Sequence, residues 1–319
     1  MKRIVAAIAG LSVVALLTAC GSAGGSPPGS GDTSPDPDSG GGIDHPEGAE
    51  LVLSVTNRGG FAPPQFLAGQ VPSFVLLGDG RLIVQGVQTL EFPGPALPPL
   101  QERQLTAAGI QAVLERVTET DLFAEDRELR GAQNIVADAA DTVFTLHAGD
   151  REVTVSVYAL GMLGPPMEPP PDDMITPAEI QAHQMLQRLS EGLLFLEDWL
   201  PAGAWADTGW HPYEPEAIRL YVRDATGEPV DDGGLPEQVR QWPIENADPA
   251  AFGVEEATFG DGTRCGVVDG DEAANWLADL QQSTQMTRWT DDGERRFSVT
   301  PRPLLPHEEH DCPEIIGAF

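Results

Sequence analysis

Lysine is all but missing from this sequence: Lys2 is the only one in 319 residues. Beyond the N-terminus that absence excludes a phosphate-loop lysine, a Schiff-base lysine and a Ser-Lys pair as the chemistry. Basic charge is scarce altogether, with 18 Lys and Arg against 50 Asp and Glu and a formal net charge of -32. Such a chain is repelled by nucleic-acid phosphates and anionic lipid headgroups alike, so nucleic acid is not expected as a partner. Cysteine is rare too, three in all, with no paired Cys-x-x-Cys. There is also no G-x-S-x-G, no H-E-x-x-H and no nucleotide-binding glycine loop. The carboxylates are so numerous that any two can be imagined as an acid and a base, which leaves a glycosidase reading without a handle. No catalytic residue and no cofactor is assigned. Arginine without lysine, beside abundant Ala, Gly and Pro, reads as genome-composition bias.

What is present begins at the N-terminus. Lys2 and Arg3 precede an apolar body, Ile4 to Ala19, interrupted only by Gly10, Ser12 and Thr18. It is too short and too early for an ordinary membrane span and has the layout of a secretory signal over residues 1–19. Its end, Leu17, Thr18, Ala19 and Cys20, resembles the lipobox of bacterial lipoproteins. That resemblance implies a diacylglycerol thioether on Cys20, cleavage just before it and usually acylation (palmitate or a similar chain) of the new amino group. The protein would then be lipid-anchored on the extracytoplasmic face of the cell membrane, touching the membrane through the anchor alone. Each buried acyl methylene contributes about 0.8 kcal/mol, so two or three chains hold firmly. Cleavage would leave 50 acidic residues facing 16 arginines, a formal charge of -34. Residues 20–47 are the expected tether. From Gly21 to Glu47 there are 8 Gly, 5 Ser and 5 Pro in 27 residues, which buries too little to order a backbone. As a flexible coil it spans on the order of 30 Å.

From Gly48 onward the sequence reads as α+β, with helices packed on antiparallel sheet in two lobes, 48–205 and 206–319. Strands are expected at Glu50 to Arg58 and on both sides of Asp79-Gly80, a hairpin signal. A helix follows Thr106 as N-cap, with Ile110, Val113, Leu114 and Val117 on one face. Thr142 to Leu160 makes a second hairpin, turning near Gly149-Asp150. Thr176, Pro177 and Glu179 occupy the N-cap, N1 and N3 places of a capping box. In the second lobe strands are expected at Ile218 to Arg223 and Thr263 to Val268. A helix then starts with Asp271 as N-cap and Ala273, Trp276, Leu277 and Leu280 on one face. A last hairpin crosses Asp292-Gly293. Both lobes run strand, strand, helix, hairpin, an order that duplication would also produce. The "GDG" hairpin, the "LT…GIQAVL" helix and the "DTVFTLHAGD" hairpin make residues 48–160 similar to uncharacterised secreted and lipid-anchored proteins of high-GC bacteria. The resemblance carries no catalytic residue.

Few side chains suggest a site. His147 on a strand and His183 on a helix read as structural or surface histidines. Trp210, His211 and Tyr213 form an aromatic group between the lobes that either packs them together or stacks on a ligand. "DGDE", Asp269 to Glu272, has hard oxygen donors without the spacing of a calcium loop, and a helix start explains it. Cys265 and Cys312 are the two thiols left once Cys20 is acylated, and outside the cytoplasm they are expected as a disulfide. The competing reading is a metal site using His307 and His310 with Asp311 and Cys312. The expected function is a binding or interaction module for a small ligand or an envelope protein; the alternative is a cell-surface hydrolase.

Overall fold

The structure, a computed structural model, describes residues 42–163, 175–229, 234, 237–245, 247–291 and 293–313. The signal segment 1–19, Cys20 and the linker as far as residue 41 lie outside the described residues. The end of the segment read as linker, Gly42 to Glu47, lies against the folded unit, which begins at Gly42. Ile43 N donates to Gln111 Oε1 at 2.7 Å and Gln111 Nε2 returns to Ile43 O at 2.9 Å. Gly149 N donates to Asp44 O at 2.7 Å.

The fold is α+β, built on two mixed sheets. The chain runs β1 (Leu51–Arg58), α1 (Pro64–Ala68), β2 (Phe74–Leu77), β3 (Arg81–Gln85), β4 (Leu100–Gln104) and α2 (Ala107–Thr118). Then come β5 (Arg127–Leu129), β6 (Asp141–Ala148), β7 (Arg151–Tyr158), α3 (Pro177–Leu194), α4 (Leu196–Trp199) and β8 (His211–Pro212). These strands form an eight-stranded sheet ordered β5-β7-β6-β1-β2-β3-β4-β8, antiparallel except for β5 against β7. The two hairpins turn where expected, at Asp79-Gly80 and Gly149-Asp150. Gly80 has φ +87° and Gly149 φ +59°, both in the left-handed region that favours glycine.

The helices start where their caps dictate. Thr106 Oγ1 accepts Gly109 N at 3.1 Å, and Ile110, Val113, Leu114 and Val117 are buried against the sheet. Thr176 Oγ1 accepts Glu179 N at 3.2 Å with Pro177 in the first turn. The Glu179 carboxylate accepts Gly131 N, so it ties the helix start to the loop before β6. Leu186, Leu193 and Leu196 complete the core that α2, α3 and α4 make on one face of the sheet.

The second sheet comprises β9 (Ala217–Asp224), β10 (Val239–Gln241), β11 (Val254–Glu255), β12 (Arg264–Asp269), β13 (Arg288–Thr290) and β14 (Phe297–Pro303), with α5 (Gly270–Leu280) against it. Its order is β10-β13-β14-β9-β12-β11. In each sheet a central strand, β1 or β9, lies between a neighbouring strand and a hairpin. The hairpin enters in opposite order: its first strand pairs with β1, its second with β9. The α5 N-cap is Asp269, two residues before the expected Asp271, because β12 stays paired to β9 through Asp269↔Ala217 and the chain turns directly into the helix. Asp271 and Glu272 fall in the first turn, where acids suit the helix dipole. Trp276 packs at the centre of the second core, its ring centroid 5.0 Å from that of Trp242 and 4.5 Å from that of Trp289.

The other faces of the two sheets are joined by the segment beyond β14. Leu305 packs with Val71, Val75, Leu77, Ile83 and Leu100 of the first sheet region. A second link runs through the β3–β4 connection, where Ala96 N donates to Ser283 O and Gln285 N to Gly94 O, each at 3.0 Å.

Candidate functional site

Strand β9 is buried along its length from Ala217 to Val222. Alternation turns Ile218, Leu220 and Val222 into the tryptophan core. Arg219 and Tyr221 therefore face the opposite side, toward α1 and the segment after β14. The β9–β14 register makes Arg219 and Arg302 direct partners across the sheet. Their side chains are 6% and 11% exposed. Like charges directly opposite one another destabilise a sheet, and desolvating each ion costs several kcal/mol unless partners replace the water.

The partners come from residues 305–313, which fold back as a strap. Arg302 is held by three bonds: Nε donates to Gln70 O at 2.8 Å, and its two terminal nitrogens reach the two Glu308 oxygens at 2.9 and 2.6 Å. Glu308 also accepts Leu305 N at 2.8 Å. Burial works against its ionisation, but the Arg302 hydrogen bonds and charge outweigh that and hold it below the usual carboxylate range. Arg219 is held differently. Its Nε donates to the Asp311 carbonyl at 2.6 Å, while the Glu309 carbonyl and Asp311 Oδ1 lie at 3.4 Å. Asp311 is 56% exposed, so its charge counters Arg219 weakly. Burial first and the Arg302 charge second pull Arg219 below the ordinary guanidinium value. Burial pushes the Tyr221 hydroxyl up, while the Arg219 charge works the other way.

These groups line a cleft of about 420 Å³, closed on its other side by Thr56, Asn57 and Arg58 at the end of β1. Arg58 is exposed and has no ion-pair partner among the described residues. Cys265 and Cys312 form a disulfide, Cα–Cα 6.0 Å. Cys265 is the β12 partner of Tyr221, so the bond pins the strap beside the cleft.

The other residues singled out in the sequence do not converge there. Tyr213 donates from Oη to Leu304 O at 2.7 Å and packs with the cluster around Leu305. Trp210 is partly buried and packs against the first core, donating from Nε1 to Glu197 at 3.0 Å with its ring edge on Trp205. His211 is exposed, opposite Glu102 in the β4–β8 pairing. The three thus face separate surroundings and make no common stacking platform. Beside them Arg103 lies 3.8 Å over the Trp205 ring and is paired to Glu197 at 2.6 Å and Asp207 at 3.1 Å. A smaller cavity of about 250 Å³ opens between Glu102, Asp207, His211 and Glu214. Burial raises the Glu102 carboxyl despite the Arg81 charge.

His310 Nδ1 lies 3.7 Å from Asp269 Oδ2, while His307 Nδ1 is buried without a partner among the described residues. The disulfide removes the Cys312 thiolate from the metal reading, and among the described residues no group of three or more His, Cys, Asp and Glu is placed to hold a metal. His147 lies 4.0 Å from Glu152, and His183 is buried on α3 with neither ring nitrogen bonded among the described residues.

No protein-family model, curated protein or solved structure matches the chain. The site must therefore be read from its own residues. Sequence reasoning missed the arginine pair because Arg219 sits in "AIRLYVR", where alternation reads as a half-buried strand with polar residues outward. The available signal was a proline-flanked second arginine in "TPRPLL" followed by the acids of "HEEHD", which together can fold over it. Among the described residues no helix is long and apolar enough to cross a membrane.

Proposed function

We propose that this chain is an extracytoplasmic binding module, tethered to the membrane by a lipid-modified Cys20, with the cleft between β1, β9 and β14 as its ligand site. The observation that carries the reading is the buried Arg219–Arg302 pair, an arrangement that costs stability and is open to a cleft of about 420 Å³. Clefts of 300–1,000 Å³ with a few convergent polar groups are the usual form of a small-ligand site. The Cys265–Cys312 bond supports the compartment, since such bonds persist outside the reducing cytoplasm, and it leaves Cys20 as the remaining cysteine.

Two measurements test it. Cys20→Ala should abolish incorporation of labelled fatty acid, and a variant that still carries label refutes the anchor. A fragment screen by nuclear magnetic resonance on the full-length chain in detergent micelles should shift the amides of Asn57 to Gly59 and Arg219 to Tyr221. Hits that cluster elsewhere refute the site.

One observation favours a second reading, a cell-surface hydrolase: the raised Glu102 carboxyl opposite His211 in the smaller cavity. That cavity, about 250 Å³, falls below the usual size of a ligand pocket, and its arginine, Arg103, is already paired twice. Binding at the larger cleft is therefore the better supported of the two.

A further inference from the structure

We propose that the cleft takes a singly charged carboxylate, gripped by Arg219 and Arg58, and that Asp311 on the strap is a built-in competitor for that place. The proposal rests on the reading of this cleft as the ligand site and adds its ligand class and its internal occupant.

Charge points to an anion. Three guanidiniums, Arg58, Arg219 and Arg302, border the cleft, and among the described residues Glu308 is the one carboxylate bonded at close range to any of them. Asp311 reaches Arg219 only at 3.4 Å and is more than half exposed, and Glu309 offers its main-chain carbonyl. A guanidinium fork matches two carboxylate oxygens. Tyr221 keeps its proton and lines the cleft on the same face of β9 as Arg219, so its hydroxyl can donate to a ligand oxygen. The choice of a monoanion comes from the surroundings. Glu308, Glu309 and Asp311 border the same space in a chain of net charge -32, so a second negative charge on the ligand meets repulsion that one charge avoids. The competitor comes from geometry. Asp311 already presents a carboxylate to Arg219 at 3.4 Å, held nearby by the adjacent disulfide, with its side chain more than half exposed to solvent.

The test is titration calorimetry at low salt on the full-length chain in detergent micelles, using N-acetylalanine, its uncharged amide and inorganic phosphate. N-acetylalanine should bind, phosphate more weakly and the amide not measurably. Arg58→Gln, a change at an exposed position, should weaken N-acetylalanine about two- to five-fold, the scale of an exposed ion pair. Asp311→Asn should tighten it about two- to five-fold, the scale of an exposed ion pair. An amide that binds as well as the acid, or phosphate that binds more tightly, overturns the ligand class and leaves the cleft standing. Asp311→Asn without tightening overturns the competitor alone. Binding indifferent to Arg58→Gln moves the carboxylate elsewhere and takes the site reading down with it. No heat with any probe overturns the carboxylate proposal.

Discussion

Replacing Cys312 by Ser should lower the stability of the folded unit by about 4 kcal/mol. The bond spans a sequence separation of 47, closing a loop of 48 residues. In the chain-entropy treatment, closing a loop of that length removes about 14 cal/mol/K from the unfolded chain, or about 4 kcal/mol at room temperature. The choice of position matters. Cys265 is fully buried, and a lone thiol there still packs as a small apolar group, whereas Ser would bury an extra hydroxyl; Cys312 is only partly buried. Cys312→Ser thus opens the loop with least damage to packing. Urea unfolding gives the free energy directly, and a domain of this size should melt roughly 8 °C lower or somewhat more, at about 2 °C per kcal/mol. A loss under about 1 kcal/mol refutes the reasoning. Amide shifts near Arg219 separate the sources of a full loss. If they stay in place, the effect lies in the unfolded chain. If they move, the strap has come away and Arg219 has lost the Asp311 carbonyl.

Stability should fall as pH drops below about 6.5. Burial lowers the folded-state values of His183 and His307, so the unfolded chain takes up protons first and gains from acid; melting temperatures between pH 7.5 and 5.5 show the slope, and His183→Leu should flatten it. Gly109→Ala should destabilise by about 1–3 kcal/mol although alanine is the better helix former, because the added Cβ would lie 2.3 Å from the Ala204 carbonyl oxygen. Denaturant titration gives the sign, and a gain refutes the contact. A chain starting at Gly48 should lose exchange protection at the Gly149 amide relative to one starting at Gly42. The three hydrogen bonds lost with Ile43 and Asp44 and a longer one from Glu50 N to Glu47 O contribute at most about 0.5–1.5 kcal/mol each, against an ordering entropy of similar size, so local protection is the readout and melting temperature is not.

What the sequence made legible was local. Thr106 and Thr176 announce their helices because an N-cap needs only a side-chain oxygen three residues before the amide it accepts. Gly80 and Gly149 announce their hairpins because few other residues tolerate positive φ. The disulfide was legible by counting, there being two cysteines beyond Cys20. The N-cap of α5 slipped by two residues where sheet pairing through Asp269 overrode local preference. The end of the linker was misjudged because Ile43 and Asp44 find their partners, Gln111 and Gly149, far along the chain.

The cleft lay furthest from reach, for the same reason carried further. Arg219 and Arg302 are 83 positions apart, and what sets them side by side is the register of β14 on β9. A register one residue different would put Pro301 or Pro303 opposite Arg219 and turn Arg302 to the other face. The hydrophobic pattern guards against that slip: Phe297 and Val299 must stay on the same core face as Leu220 and Val222. The apolar face thus fixes the register, and the register imposes the juxtaposed charges. A stability-driven sequence would replace one of the two arginines with an apolar residue, since buried ion arrangements are often no more stable than well-packed apolar ones. That both are present, with a strap and a disulfide holding acceptors over them, is what the proposed ligand role of the cleft they border would account for.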